Sequence, residues 1–310
     1  MSPLELILAT ALAALVLVFL FAGTFFLLFL ERFVHARIQH REGPGRGGKT
    51  DAFQVWKDYR KTRAKEGAGL TFPFRIRAAT VAWRILPAAF LLILLAGLLP
   101  ASLAETEVPA LLLLPLLAAA MEASFLHASS DARERFEWRK QLVLRVLGAS
   151  VLAFGFLAVS LHTGSLSLGV ISEVQAHFPY LSLFSSPGLF LCGVASFGAI
   201  YLYSGEGPIQ TEGELSLSRS IQYLVLFIRK MWVFCLVCLW VFVFFGGAAS
   251  IAAKLLFPFK VGAALFVFTL LQGSFPRIRS TDAGELSARW MFRMCFLGLL
   301  LEAIWVGVWG

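Results

Sequence analysis

Apolar residues fall into long blocks separated by short polar stretches. Eight blocks are long enough to be membrane spans: 6–30, 85–103, 109–128, 142–161, 187–203, 231–253, 255–273 and 290–309. About 20 mostly apolar residues cross roughly 30 Å of hydrocarbon as a helix. No block alternates apolar and polar positions as a barrel strand would. Backbone groups in lipid must be satisfied within their own segment, so helices are predicted. The seventh block carries Pro258 and Lys260, and the eighth carries Arg293 and Glu302. The expected fold is all-α: a polytopic membrane protein of about eight transmembrane helices, plus an amphipathic cytoplasmic helix. The start, Met1-Ser2-Pro3-Leu4-Glu5, has no Lys or Arg, and the apolar run behind it is too long for a cleaved signal peptide.

The longest polar stretch is 31–84. Gly43-Pro44 and Gly47-Gly48 force turns there. Asp51 to Glu66 follows, with Ala52, Val55, Trp56 and Tyr59 at helical spacing on one face. Lys57, Arg60, Lys61, Arg63 and Lys65 cover much of the rest. A basic amphipathic helix lying at the membrane interface is expected. Its function is either a headgroup-binding linker or a docking surface for another subunit or a ligand. The stretch is too short and too charged for a core of its own. The chain therefore reads as one membrane domain over 1–310, with 31–84 as docking segment.

Composition agrees with the block pattern. The chain is 58% hydrophobic and 15% charged, with a mean hydropathy of +0.78, well outside the soluble range of about half apolar and a quarter charged. The net charge of +8 is a topology signal. Segments 31–84, 129–145, 204–230 and 274–293 hold 25 of the 27 Lys and Arg residues, and with eight spans all four lie on one side. The positive-inside rule makes that side cytoplasmic and puts both termini outside. This distribution also excludes nucleic acid as a partner. An integral protein of the bacterial cytoplasmic (inner) membrane is expected.

Ionisable residues within spans are functional candidates, because each costs about 2.5–3.5 kcal/mol to insert. Glu122 lies about two turns inside the third block and Arg145 one turn inside the fourth. They are candidates for a buried pair, for a proton path, or for both. Glu302 and Arg293 are nine residues apart and do not share a helix face, so each needs a partner elsewhere. Lys254 and Lys260 are expected to snorkel. His35, His40, His127, His162 and His177 show no ligand spacing. Cys235-x-x-Cys238 lies inside an apolar block without a second pair, and Cys192 and Cys295 also lie in spans, so small core residues are expected. No metal site follows. No nucleophile, base and orienter occur together, so no residue is assigned as catalytic.

At the first polar stretch the sequence resembles the H-type membrane-subunit family of NADH–quinone oxidoreductase (respiratory complex I). It also resembles the homologous membrane subunits of formate hydrogenlyase and other energy-converting hydrogenases. The resemblance rests on Glu31-Arg32, Ala36-Arg37-Ile38-Gln39, Arg41, Gly43-Pro44 and Arg46, continued by Gln54, Asp58, Lys61 and Lys65-Glu66. Weaker matches follow in family order. They are Gly164-Ser165-Leu166-Ser167-Leu168 with Glu173 and Gln175; Pro208 with Glu212 and Glu214; and Pro276-Arg277-Ile278-Arg279 with Asp282.

The resemblance implies a diverged subunit joining a peripheral electron-transfer arm to antiporter-like membrane subunits in a redox-driven, ion-translocating complex. It implies that Glu31, Arg32, Arg37, Gln39, Arg41, Arg46, Asp58, Arg277 and Arg279 shape the junction or a quinone cavity. It implies that Glu206, Glu212, Glu214 and Asp282 belong to the coupling path, with Glu122 and Arg145 as further candidates. No cofactor is expected on this chain beyond a quinone; iron–sulfur clusters belong to hydrophilic hydrogenase-like or dehydrogenase-like partners on the cytoplasmic side. Residues 204–211 read Ser-Gly-Glu-Gly-Pro-Ile-Gln-Thr, with Gln210 where the quinone-using members carry an Asp and with no Arg. The stretch from Arg145 to Gly155 lacks the acid those members have in the fourth span. These departures lean toward the hydrogenase-type branch. They leave two other readings open: a membrane anchor or assembly subunit without an ion or quinone path, and a stand-alone secondary transporter.

Overall fold

A computed structural model describes residues 3–40, 57, 60–61, 132–177, 182–203, 219–246, 251–274 and 287–309. Among them are α1 (Pro3–Ile38), α2 (Ala132–Thr163), α3 (Leu168–His177), α4 (Pro187–Tyr203), α5 (Arg219–Phe244), α6 (Ile251–Ser274) and α7 (Phe292–Trp309). A 3₁₀ turn, Ser182–Phe184, leads into α4, and a π-helical turn, Ser287–Met291, leads into α7. No strand occurs among the described residues, and the protein is an all-helical, polytopic membrane fold. Five helices are long and apolar enough to cross a membrane, and α4 is a shorter apolar helix. The second and third apolar blocks, 85–103 and 109–128, lie outside the described residues.

Two of the predicted boundaries are corrected. The first block does not end at residue 30: α1 continues to Ile38 and carries Glu31, Arg32 and Arg37 as helical residues. Leu27, Leu30, Val34 and Ala36 stay buried along this extension, and that packing holds the charged turns in the helix. The sixth block does not reach residue 253. α5 stops at Phe244, and Gly246 adopts a φ of +82° before α6 begins at Ile251. Such a conformation suits glycine, which has no Cβ to clash.

Local chemistry sets the other ends. Gly164, at φ +67°, terminates α2 in the left-handed conformation common just past helix ends. Ser165 Oγ accepts the Ser167 amide at 3.1 Å, and the Ser167 carbonyl accepts the Ile171 amide at 3.0 Å, starting α3. Ser186 caps α4: its hydroxyl accepts the Leu189 amide at 3.0 Å, and Pro187 takes the first helical position. The end of α5 is closed by side chains from its neighbours. Gln175 donates to the Val243 carbonyl at 2.5 Å, and Lys260 Nζ donates to the carbonyls of Phe245 (2.7 Å) and Gly246 (3.4 Å). The snorkelling expected of Lys260 is thus replaced by a specific role: its ammonium satisfies carbonyls that the helix end leaves open.

Contacts fix the helix directions. Cys192 pairs with the Cys295 carbonyl, and Ser186 with Glu302, so α4 and α7 are antiparallel. α2 runs with α7, from Cys295 at Val151 to Glu302 at His162. Phe19 against Phe234 and Phe25 against Phe227 make α1 antiparallel to α5. Gly273 of α6 lies against His35 and Ile38 near the end of α1, so α6 runs with α1. The basic starts of α2 and α5 and the basic end of α1 therefore share one end of the bundle, and Lys260 lies at the other. α5 stands in the middle, with 94% of its span buried against 17% for α7. The outer faces of α6 and α7 stay apolar, through Phe259 and Val267 on one and Leu297, Ile304 and Val308 on the other. A face of that kind suits lipid or a partner helix.

The backbones of α4 and α7 approach each other closely at Gly188 and Gly298. A Cβ on Gly298 would lie 2.7 Å from Cys192 Sγ, 2.8 Å from the Gly188 carbonyl and 3.1 Å from the Cys192 amide. Two of those three atoms belong to the backbone of α4. Gly298→Ala is therefore expected to destabilise the protein by about 1–3 kcal/mol through overpacking. Gly262→Ala, whose new methyl meets nothing within 4 Å, is expected to be neutral or slightly stabilising. Thermal unfolding of the two variants in detergent checks this contrast.

Candidate functional site

The described part of the basic end is organised by one buried ion pair. Glu31 lies on the last turns of α1 and Lys230 on α5, 199 residues later in the chain. Lys230 Nζ donates to Glu31 Oε1 at 2.5 Å. Their side chains are 4% and 12% exposed respectively, so the pair sits in low dielectric. Neither charge can stand there alone: two ions leave water at a cost of several kcal/mol each, and only mutual attraction in good geometry offsets it. Arg229 is buried beside Lys230, and both Arg229 and Arg32 are engaged with neighbours. Arg37 lies one turn beyond Phe33, with its guanidinium 5.3 Å from the centre of the Phe33 ring, and Gln39 is exposed at the end of the helix. That exposure points Arg37 and Gln39 away from the core.

Arg145, expected one turn inside its span, is buried in α2 and engaged with a neighbour. Lys57, Arg60 and Lys61, from the expected amphipathic segment, are helical and exposed. Glu122, Glu206, Glu212, Glu214, Asp282, Arg41, Arg46, Asp58, Arg277 and Arg279 lie outside the described residues. Of the predicted junction residues, Glu31, Arg32, Arg37 and Gln39 therefore fall on one helix end. By themselves these four make no quinone chamber, because Glu31 is taken up by Lys230, Arg37 leans on Phe33 and Gln39 is exposed. No chemical step through a quinone follows from them. Among the described residues no group of His, Cys, Asp and Glu side chains could hold a metal ion.

Lys230 is the residue that sequence reasoning missed. Arg229-Lys230 directly precedes the sixth apolar block, and Glu31 directly follows the first. With both blocks crossing the membrane, these two boundaries lie at the same end, which was the available signal. Lys230→Met leaves Glu31 buried without its cation and is expected to cost about 3–5 kcal/mol. The double change Glu31→Gln with Lys230→Met is expected to recover most of that loss. A double-mutant cycle on thermal stability in detergent measures both.

The profile of the family described as NADH dehydrogenase matches residues 10–303. A comparison with curated proteins gives no match. Among solved structures, the chain is similar to one from the membrane-bound sulfane sulfur reductase (MBS), an archaeal respiratory membrane complex. The TM-score is 0.79 at 17% identity, covering 95% of this chain and 99% of that one. Agreement of fold at such low identity is what a shared pattern of apolar blocks and helix ends would preserve. With the family profile spanning almost its whole length and the basic, paired helix end inside the match, the chain belongs to the NADH dehydrogenase family and is of the kind that complex I carries as its H-type membrane component.

Proposed function

We propose that the protein is the membrane subunit of a redox-driven, ion-translocating respiratory complex, placed between a soluble electron-transfer arm and antiporter-like membrane subunits. The observation that carries this reading is the family match over residues 10–303 in a chain whose basic end is anchored by the buried Glu31–Lys230 pair. A rigidly held helix end directly before a long basic segment gives a soluble partner a fixed base to rest on. The apolar outer faces of α6 and α7 give membrane partners a surface of the right chemistry. Iron–sulfur clusters would then sit in the soluble partners, and this chain would transmit charge or displacement rather than carry electrons. The loss of the Asp and Arg from 204–211 and of the fourth-span acid favours the hydrogenase-type branch over a quinone-using one.

Purification in mild detergent followed by mass spectrometry tests the reading. Hydrophilic iron–sulfur subunits and antiporter-like subunits are expected to copurify. The combined change Arg60→Glu with Lys61→Glu, on exposed helical positions of the basic segment, is expected to release the soluble subunits and leave the membrane subunits bound. Isolation of the chain alone, active in transport, would instead support a stand-alone transporter. Copurification without any redox subunit would support an assembly anchor.

A further inference from the structure

At the end of the bundle opposite the basic segments, a second buried charge is held in a different way. Glu302 on α7 is fully buried. Its Oε1 shares a hydrogen bond of 2.7 Å with Nδ1 of His162, at the end of α2. Its Oε2 accepts the hydroxyl proton of Ser186, the residue that caps α4. Gly188 makes room for this arrangement: a Cβ there would lie 2.7 Å from the Glu302 amide and 2.8 Å from Oε2. The carboxylate thus lies against the N-terminus of α4, where the helix dipole favours negative charge.

Among the described residues, the groups that face Glu302 are few. From α2 comes His162. From α4 come Ser186 and, further in, Cys192, whose thiol donates to the Cys295 carbonyl at 3.3 Å. On α7 itself, Cys295 lies two turns deeper and donates to the Val151 carbonyl at 3.4 Å, while Arg293 is exposed. Among the described residues, His162 is the only cation-forming group paired with Glu302.

We infer that His162 and Glu302 form a proton-binding site that exchanges protons with the aqueous side at this end of the bundle, with the histidine as relay. The two residues differ in access: the His162 side chain is 24% exposed and that of Glu302 not at all. A proton arriving on Nε2 of a neutral imidazole, which holds its own proton on Nδ1, produces an imidazolium. The Nδ1 proton then passes to Glu302 Oε1, leaving a neutral carboxylic acid and an imidazole protonated on Nε2. The pair has gained one proton, and its charge has risen by one unit. The Nδ1 to Oε1 hydrogen bond persists throughout, with the direction of donation reversed. Ser186 keeps donating to Oε2, because its oxygen is already occupied in accepting the Leu189 amide. The site can therefore load and unload without breaking a contact between the three helices. This holds whether or not the chain takes part in a redox complex.

Infrared difference spectroscopy on the purified full-length protein tests the inference. A pH jump toward acid is expected to raise the carbonyl stretch of a protonated carboxylic acid in the wild type, and Glu302→Gln should remove that band. His162→Phe keeps a ring in the same place but no exchangeable proton, and it is expected to slow the rise of the band by about tenfold or more. It also carries the test should Glu302→Gln fail to accumulate. A wild-type protein with no band that depends on Glu302, over the pH range in which it stays folded, would show a fixed structural charge and overturn the inference. A band that rises equally fast in His162→Phe would also overturn it.

Discussion

A charge in a low-dielectric helix bundle has to be matched where it stands, and that requirement organises both ends of this protein. At the basic end, Lys230 and Glu31 neutralise each other across α1 and α5. At the opposite end, a carboxylate is shared among α2, α4 and α7 through His162 and Ser186. Both arrangements join helices that are distant in sequence, so they fix which helices are neighbours as well as satisfying the charges. The hydrophobic effect cannot supply that selectivity within lipid, where a leucine gains little by exchanging hydrocarbon for another helix.

The middle of the bundle follows a different rule. From Met231 to Phe244, α5 presents buried apolar residues on every side, with Trp232, Phe234, Phe242 and Phe244 as its largest fully buried members. Trp240 is tied to a neighbouring backbone, donating its indole N–H to the Gly193 carbonyl at 2.9 Å. A helix that is hydrophobic all round belongs at the centre of a membrane domain. Its ends then require capping from elsewhere, which Gln175 and Lys260 provide.

Much of this was legible in the sequence, and the exceptions have identifiable causes. Block lengths located the described spans, because the hydrocarbon thickness sets a length that soluble segments seldom meet. The end of the first span was misjudged because Glu31 and Arg32 read as the start of a loop. A charge that finds a partner on another helix no longer ends its own, and that partner lies 199 residues away. The end of the sixth span was misjudged in the opposite sense. Gly246-Gly247 was a readable stop, overridden by the apolar residues after it. Glu302 was recognised as needing a partner, but His162 was set aside for lack of metal-ligand spacing. A single histidine opposite a single carboxylate has no spacing to detect; only the packing of α2 against α7 brings them together.

The apolar course of α5 has a consequence for how the two ends can influence each other. Judged from the helix rise, Lys230 and the level of Ser186 are separated by roughly 25 Å of packed hydrocarbon side chains. Over that distance a unit charge acts on another with only about 0.7 kcal/mol at an effective dielectric of 20, close to thermal energy. The central helix is in effect an insulator between two charged terminals. Any message from one to the other would travel as a tilt or slide of whole helices, and the close α4–α7 seam at Gly188 and Gly298 would resist such a movement.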